Sequence, residues 1–190
     1  MITGSEMAVV DENTAALGVS QKQLMESSGN AVAETVRAVA DPEASITIIA
    51  GRGNNGGDAF VAARFLEEFE VRVFLLGSAD AIGTDIAREN WEALELAACE
   101  RHEITDSTAL NRGESDLIVD AMLGTGISGR LREPAATAAE IINDGDATVV
   151  SVDVPSGMDG ETGDRPPGTV EPDHVVTFHE AKPGLDDLDA

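Results

Sequence analysis

The fold turns on one stretch, Ile46-Thr47-Ile48-Ile49-Ala50 running straight into Gly51-Arg52-Gly53-Asn54-Asn55-Gly56-Gly57-Asp58. A short β-branched run that meets glycines at once reads as a buried strand entering a tight loop. The glycines also let backbone N–H groups approach a ligand closely, so the loop is of the phosphate-binding kind. Gly51, Gly53 and Gly56 satisfy G-x-G-x-x-G, which alone is a weak signal.

Upstream, apolar residues recur at helical spacing from Gly4 to Leu17 (Met7, Val10, Leu17) and from Ser20 to Ala40 (Leu24, Met25, Ala31, Val32), predicting two helices. Gly18 ends the first and Ser20 N-caps the second, before Asp41-Pro42-Glu43 breaks the pattern. Downstream, the pattern predicts a helix over Ala59 to Phe69, a strand over Val71 to Leu76 and a long helix over Asp85 to Glu100 with Trp91, Leu94 and Ala98 on one side. A strand over Leu117 to Asp120, a helix from Pro134 to Asn143 opened by its proline, and strands over Thr148 to Val152 and His174 to Phe178 complete it. Such alternation predicts an α/β domain, a mostly parallel sheet with helices on both faces. Met158 to Pro172 has no periodicity and reads as an exposed loop without chemistry. Cys99, the single cysteine, falls in a helical-looking run as a small buried hydrophobe, so no disulfide framework is expected. Met7, Met25 and Met122 read as core, with Met25 and Met122 able to line the rim of a site.

At 190 residues and 42% hydrophobic content the chain suits one compact domain. No apolar run reaches the ~18 residues of a membrane span, and the N-terminus lacks a basic segment before an apolar one, so a soluble, cytoplasmic protein is expected. The net charge is −24, and Lys22 and Lys182 are the only lysines. Such a field repels nucleic-acid phosphates and anionic membranes, which argues against both as partners. Its carboxylates are dispersed among apolar helical positions rather than gathered in a tail, as on the acidic surfaces of halophilic proteins. The plainer alternative, an acidic mesophilic protein, changes habitat and not chemistry.

In an open α/β sheet, ligands bind beyond the carboxyl ends of the strands, which directs attention to the loops after Ala50, Val119, Val152 and Phe178. An ordinary dinucleotide dehydrogenase needs an acid at the end of the second strand, but that strand ends Leu75-Leu76-Gly77. A Walker loop needs a lysine after its glycines, and none follows. A mere tight turn would have no use for Asn54, Asn55 and Asp58. In the second loop Gly124, Gly126 and Gly129, with Thr125, Ser128 and Arg130, could surround a diphosphate, Arg130 offering paired donors. Asn55, Asp120, Asp153 and Ser156 then bring oxygen donors to one rim, a set for a hard cation. Few charged oxygens among neutral ones suit a monovalent ion, potassium by preference, over magnesium. The competing readings are a turn hydroxyl for Ser156 and a helix-capping carboxylate for Asp120. His174 and His179 read as structural, whereas Lys182, retained in a chain nearly free of lysine, reads as a site residue.

Taken together, Gly53 to Asp58, Val119 to Gly126, Asp153 to Gly160 and Phe178 to Gly184 resemble the NAD(P)H-hydrate epimerases, the YjeF N-terminal domain family. Ser5-Glu6-Met7, Asp11 and Leu24 to Gly29 match as well, so the resemblance runs over nearly the whole chain. It implies a Rossmann-like three-layer αβα sandwich, commonly a homodimer, that interconverts the R and S forms of hydrated NADH and NADPH (NADHX and NADPHX). It implies one potassium ion per subunit on Asn55, Asp120 and Ser156. Substrate contacts would come from Asn54, Asn55, Gly56, Gly57 and Asp58, from Gly124, Thr125, Gly126, Ile127, Ser128, Gly129 and Arg130, and from Asp153. In many microbes the domain is fused to an ADP- or ATP-dependent NAD(P)H-hydrate dehydratase. This chain stops soon after Gly184, where members continue into another strand, so residues 1–190 are read as one epimerase domain, with truncation of a longer bifunctional protein left open. Epimerisation needs a general acid/base; Asp153 is the first candidate because a rigid strand precedes it, with Lys182 and Asp58 as alternatives. The rival from another class is a non-catalytic module that binds a nucleotide or a protein partner on the same fold, as family members do elsewhere.

Overall fold

The computed structural model describes residues 1–97, 99–111, 113–126 and 129–186. Helices α1 (Gly4–Ala16) and α2 (Gln21–Val39) lead into β1 (Ser45–Ala50), followed by α3 (Asn54–Phe65), β2 (Glu70–Leu76), α4 (Asp85–Ala93) and β3 (Cys99–Ile104). Strand β4 (Leu117–Ala121), α5 (Ala135–Asn143), β5 (Thr148–Val152) and β6 (His174–Val176) follow. The strands form a six-stranded sheet in the order β3-β2-β1-β4-β5-β6, and every pairing is parallel. This is the α/β architecture with a parallel sheet that the alternation predicts, and the Rossmann-like one that the resemblance implies.

Because side chains alternate across a strand, each strand feeds two cores. Ile46, Ile48, Val73, Leu75 and Val119 pack with Val32 and Val36 of α2, Phe60 of α3 and Trp91 of α4. Ile49, Phe74, Ile118 and Val149 pack on the opposite side with Ala138 and Ile142 of α5 and with Leu110, Leu131 and Val170 from irregular segments. The layers are therefore unequal, helices covering one face and a helix plus loops the other. Ser20 N-caps α2 as expected, its hydroxyl accepting from Gln23 N–H while the Gln23 side chain returns to Ser20 N–H. Among the described residues no helix is long and apolar enough to cross a membrane.

Several boundaries differ from the sequence expectation. The helix predicted over Asp85 to Glu100 ends at Ala93, gives way to a 3₁₀ turn over Leu94–Leu96, and is followed by the edge strand β3; Ala98 lies outside the described residues. Cys-Glu-Arg-His-Glu has no β-branched residue to announce a strand, and as an edge strand β3 leaves Glu100, His102 and Glu103 exposed. Cys99 is accordingly half-buried in a strand, and burial pushes its thiol pKa up. Helix α3 begins at Asn54 rather than Ala59, because Gly56 and Gly57 lower helix propensity but are required by packing. A Cβ on Gly56 would stand 2.1 Å from the Gly51 carbonyl oxygen. Met158, Gly160, Thr169 and Val170 are buried, so the segment read as an exposed loop is irregular but partly internal. Helix α1 buries none of its residues despite its helical spacing.

Candidate active site

The carboxyl ends of β1, β4, β5 and β6 meet at one end of the sheet, where Gly51 N–H donates to the Ala121 carbonyl at 2.9 Å and seals β1 against β4. Asp120, the penultimate residue of β4, is fully buried there. Its Oδ2 accepts from the Ser151 hydroxyl at 2.8 Å and from Ser156 N–H at 2.9 Å. Its Oδ1 accepts from the Ser156 hydroxyl at 2.6 Å and Met122 N–H at 3.2 Å. Desolvation raises the Asp120 pKa, and the hydrogen bonds from Ser156, Ser151 and Met122 pull it back. Ser156 Oγ also accepts from Leu123 N–H at 3.0 Å, so the pair ties β4 to the loop after β5. The structure thus brings Asp120 and Ser156 into direct contact.

Asn55 arrives from the first turn of α3. Both its amide oxygen and its amide nitrogen are buried and without a hydrogen-bond partner. A buried amide left unpaired costs on the order of a few kcal/mol, so this side chain is set to receive something the polypeptide does not supply. Gly124 lies against it, a Cβ there falling 3.6 Å from the Asn55 Cβ and 3.2 Å from Asp153 Oδ2. Asn55, Gly124 and Asp153 are therefore neighbours.

Asp153 follows β5 with φ +69°, a left-handed conformation that costs a non-glycine residue ~1 kcal/mol or more. Its N–H donates to the Val176 carbonyl at 2.7 Å, and Thr125 N–H approaches Oδ2 at 3.4 Å. Its Oδ1 forms an ion pair of 2.6 Å with Lys182 Nζ. Lys182 is buried and also donates to Thr177 Oγ1 and the Phe178 carbonyl, each at 3.0 Å. Ion pair and strained backbone together hold the Asp153 carboxylate in one place. Across from it Asp58, on the first turns of α3, has its pKa raised well above the ordinary 3.8, first by desolvation and then by repulsion from Asp153 and Asp11.

These groups border a cavity of about 2010 Å³, larger than the ~300–1,000 Å³ of a typical small-molecule site. Asn54, Asn55, Asp58, Asp153 and Lys182 line it, as do Gly124, Thr125, Gly126, Gly129 and Arg130. Ile127 and Ser128, expected in the same loop, lie outside the described residues. Gly56 and Gly57 are buried behind the wall, where their lack of side chains lets α3 approach the loop. Asp120 and Ser156 sit beneath the floor that Met122 and Leu123 form. Met7, Met25 and Met122, read as core, all face the cavity, although Met25 and Met122 are themselves buried. Asp11 and Thr14 of α1, Arg52, and Thr177 also line it; only the rarity of arginine and lysine in this chain could have drawn attention to Arg52.

Comparison with known proteins identifies the family. Residues 21–184 match the family described as YjeF-related protein N-terminus. The chain is 44% identical over 189 residues to a bifunctional NAD(P)H-hydrate repair enzyme Nnr of Methanothermobacter thermautotrophicus, covering 95% of this chain and 36% of that one. It is 38% identical over 187 residues to an NAD(P)H-hydrate epimerase of Cenarchaeum symbiosum, covering 97% of this chain and 87% of the relative. The chain thus spans little more than a third of the length of bifunctional relatives, including a second of that name from Archaeoglobus fulgidus at 38% of its length. Among solved structures, yeast ynu0 superposes with a TM-score of 0.83 at 25% identity, covering 97% of this chain and 82% of the yeast chain. By its sequence over 164 of its positions, 21–184 inclusive, and by the fold it shares with the yeast protein, this chain belongs to the YjeF-related N-terminal family.

Proposed function

We propose that this domain, residues 1–190, interconverts the R and S epimers of hydrated NADH and NADPH, as the names of its relatives suggest. The observation that carries the reading is a cavity with room for a dinucleotide whose lining includes two carboxyl groups in contrasting surroundings, Asp153 fixed by Lys182 and Asp58 desolvated. Desolvation favours the protonated form of Asp58, which suits it to donate a proton. In the proposed reaction Asp58 protonates the C6 hydroxyl, which leaves as water, and the ring nitrogen lone pair stabilises the cation that remains. Water then adds to the opposite face and gives up a proton to Asp153, whose position Lys182 maintains. Atoms and charge balance over the cycle once the proton returns to Asp58. Asn54, the loop 124–130 and Asp153 are assigned to substrate contact, with Gly56 and Gly57 admitting the backbone close to it.

The residues present fit a monovalent cation. Among the described residues no cluster of three or more His, Cys, Asp or Glu could hold a metal, so the donor set is one carboxylate with neutral oxygens, too weakly charged for a tight divalent site. The unpartnered Asn55 amide oxygen, Asp120 and Ser156 would hold a potassium ion, one per subunit. Such an ion would supply charge that fixes the loops. The exposed Val9 of α1, a helix that buries nothing, and the exposed Leu17 at its C-terminal end suit a homodimer, and the bifunctional relatives suit a fused dehydratase partner. The acidic composition suits a halophilic cytoplasm.

The test follows R and S NADHX by chromatography with protein in concentrated KCl and then in matched NaCl. Interconversion faster than the uncatalysed control, and faster in potassium, is expected; no acceleration in either salt from folded protein sinks the reading in favour of a binding module.

A further inference from the structure

In open sheets with the order found here, the adenosine ribose of a dinucleotide lies over the end of the strand beside β1, where an acid reads a free 2′-hydroxyl and an arginine a 2′-phosphate. That strand, β2, ends Leu75-Leu76 and passes to Gly77 with no carboxylate. Glu103, on neighbouring β3, is engaged by Ala79 N–H at 2.9 Å. What occupies the position is Arg52, from the loop after β1. Its side chain lies across Gly77, where a Cβ would stand 2.8 Å from Arg52 Cδ and 3.2 Å from Nε. Its carbonyl accepts from Gly83 N–H at 2.8 Å, fixing the backbone while the side chain stays exposed at the cavity wall.

The distribution of charge makes this arginine informative. The chain has 36 acidic residues for 12 lysines and arginines. Lys22, Arg37, Arg64, Arg101 and Lys182 are all consumed in ion pairs, and Arg72 and Arg88 donate to backbone carbonyls. Of the four described arginines left without an ion pair or a backbone carbonyl, Arg52, Arg130 and Arg132 line the same cavity, and only Arg165 lies exposed outside it. Three unpaired cations gathered on one cavity of so acidic a chain suit an anion that is not part of it. Arg130 and Arg132 stand after β4, and Arg52 stands alone at β2, a division that matches a diphosphate and a separate phosphate.

Resting on the reading of the cavity as a site for a hydrated dinucleotide, we propose that Arg52 binds the 2′-phosphate of the adenosine ribose and so sets the preference for NADPHX over NADHX. Calorimetric titration with adenosine 2′,5′-bisphosphate and with 5′-AMP, at one ionic strength, tests this without requiring turnover. The wild-type chain is expected to bind the bisphosphate about tenfold more tightly or better, the scale of one or two charge-assisted hydrogen bonds. Arg52→Gln should bring the two affinities together, and Arg52→Lys should keep part of the difference, since it retains the charge without the fork. In turnover, Arg52→Gln should raise KM for NADPHX about tenfold more than it raises KM for NADHX. Equal wild-type affinities, or a preference that survives Arg52→Gln, overturn the assignment. Absent epimerisation with an Arg52-dependent preference intact would instead remove the catalytic reading and leave Arg52 as a 2′-phosphate ligand.

Discussion

Lys182 places its ammonium group among Asp153 Oδ1, Thr177 Oγ1 and the Phe178 carbonyl, which matches the three donors a lysine has. Removing one partner of so buried a pair leaves a charge without compensation, a loss of about 3 kcal/mol. Lys182→Met is therefore expected to lower the unfolding free energy by about that much in denaturant titrations, and Lys182→Met with Asp153→Asn to recover a large part of it; strictly additive losses would show that the pair is not coupled. Asp58 gives a different signature. Its folded pKa is raised, so its stabilising contribution is fully present below the ordinary 3.8 and is lost as pH rises through the folded value. Asp120 shifts the same way and contributes with the same sign. Comparing wild type with Asp58→Asn isolates Asp58: the variant should lose less stability between acid and neutral pH and unfold at higher denaturant near neutrality. Parallel profiles would mean that Asp58 is solvated. Neither contribution was legible in the sequence. Lys182 stood out by rarity and Asp58 by its motif, but the partner of the one and the desolvation of the other arise from segments far apart in the chain.

Helices α2 and α3 are held at close range by Gly29, where a Cβ would meet Val61 Cβ and Cγ1 at 2.4 Å and the Asp58 carbonyl oxygen at 2.7 Å. Alanine improves helix propensity by ~1 kcal/mol, but overpacking against a backbone oxygen costs ~1–3 kcal/mol. Gly29→Ala should thus melt at lower temperature than wild type, with Val61→Ala restoring part of the loss; a higher melting temperature would mean the helices sit further apart. The same closeness explains which elements the sequence revealed. Strand β1 was legible because its β-branched run is buried on both faces, as were the hydroxyl and carboxylate motifs at strand ends. The start of α3 was not, because the glycines that let it approach Gly51 and Met25 are poor helix formers. Strand β3 was hidden because an edge strand needs few apolar residues, whereas α1 was legible as a helix although its helical spacing of apolar residues carries no burial of its own.

At the scale of the molecule, 36 carboxylates against 12 lysines and arginines make self-repulsion a standing cost of the folded state. Salt shortens the Debye length from ~10 Å at 0.1 M to ~3 Å at 1 M and relieves that repulsion without regard to which monovalent cation provides it. A site built from Asn55, Asp120 and Ser156 behaves differently, since a ligand that binds only the folded state stabilises it in proportion to the logarithm of its concentration. Unfolding midpoints should therefore rise steeply in both NaCl and KCl, with KCl lying above NaCl at every matched concentration. Asn55→Leu, close in size but without the unpartnered amide, should erase the difference between the salts and leave the shared rise intact. Superimposed wild-type curves would reduce the salt dependence to screening and remove the cation from the site. A potassium advantage that persists in Asn55→Leu would keep the ion but place it on other oxygens.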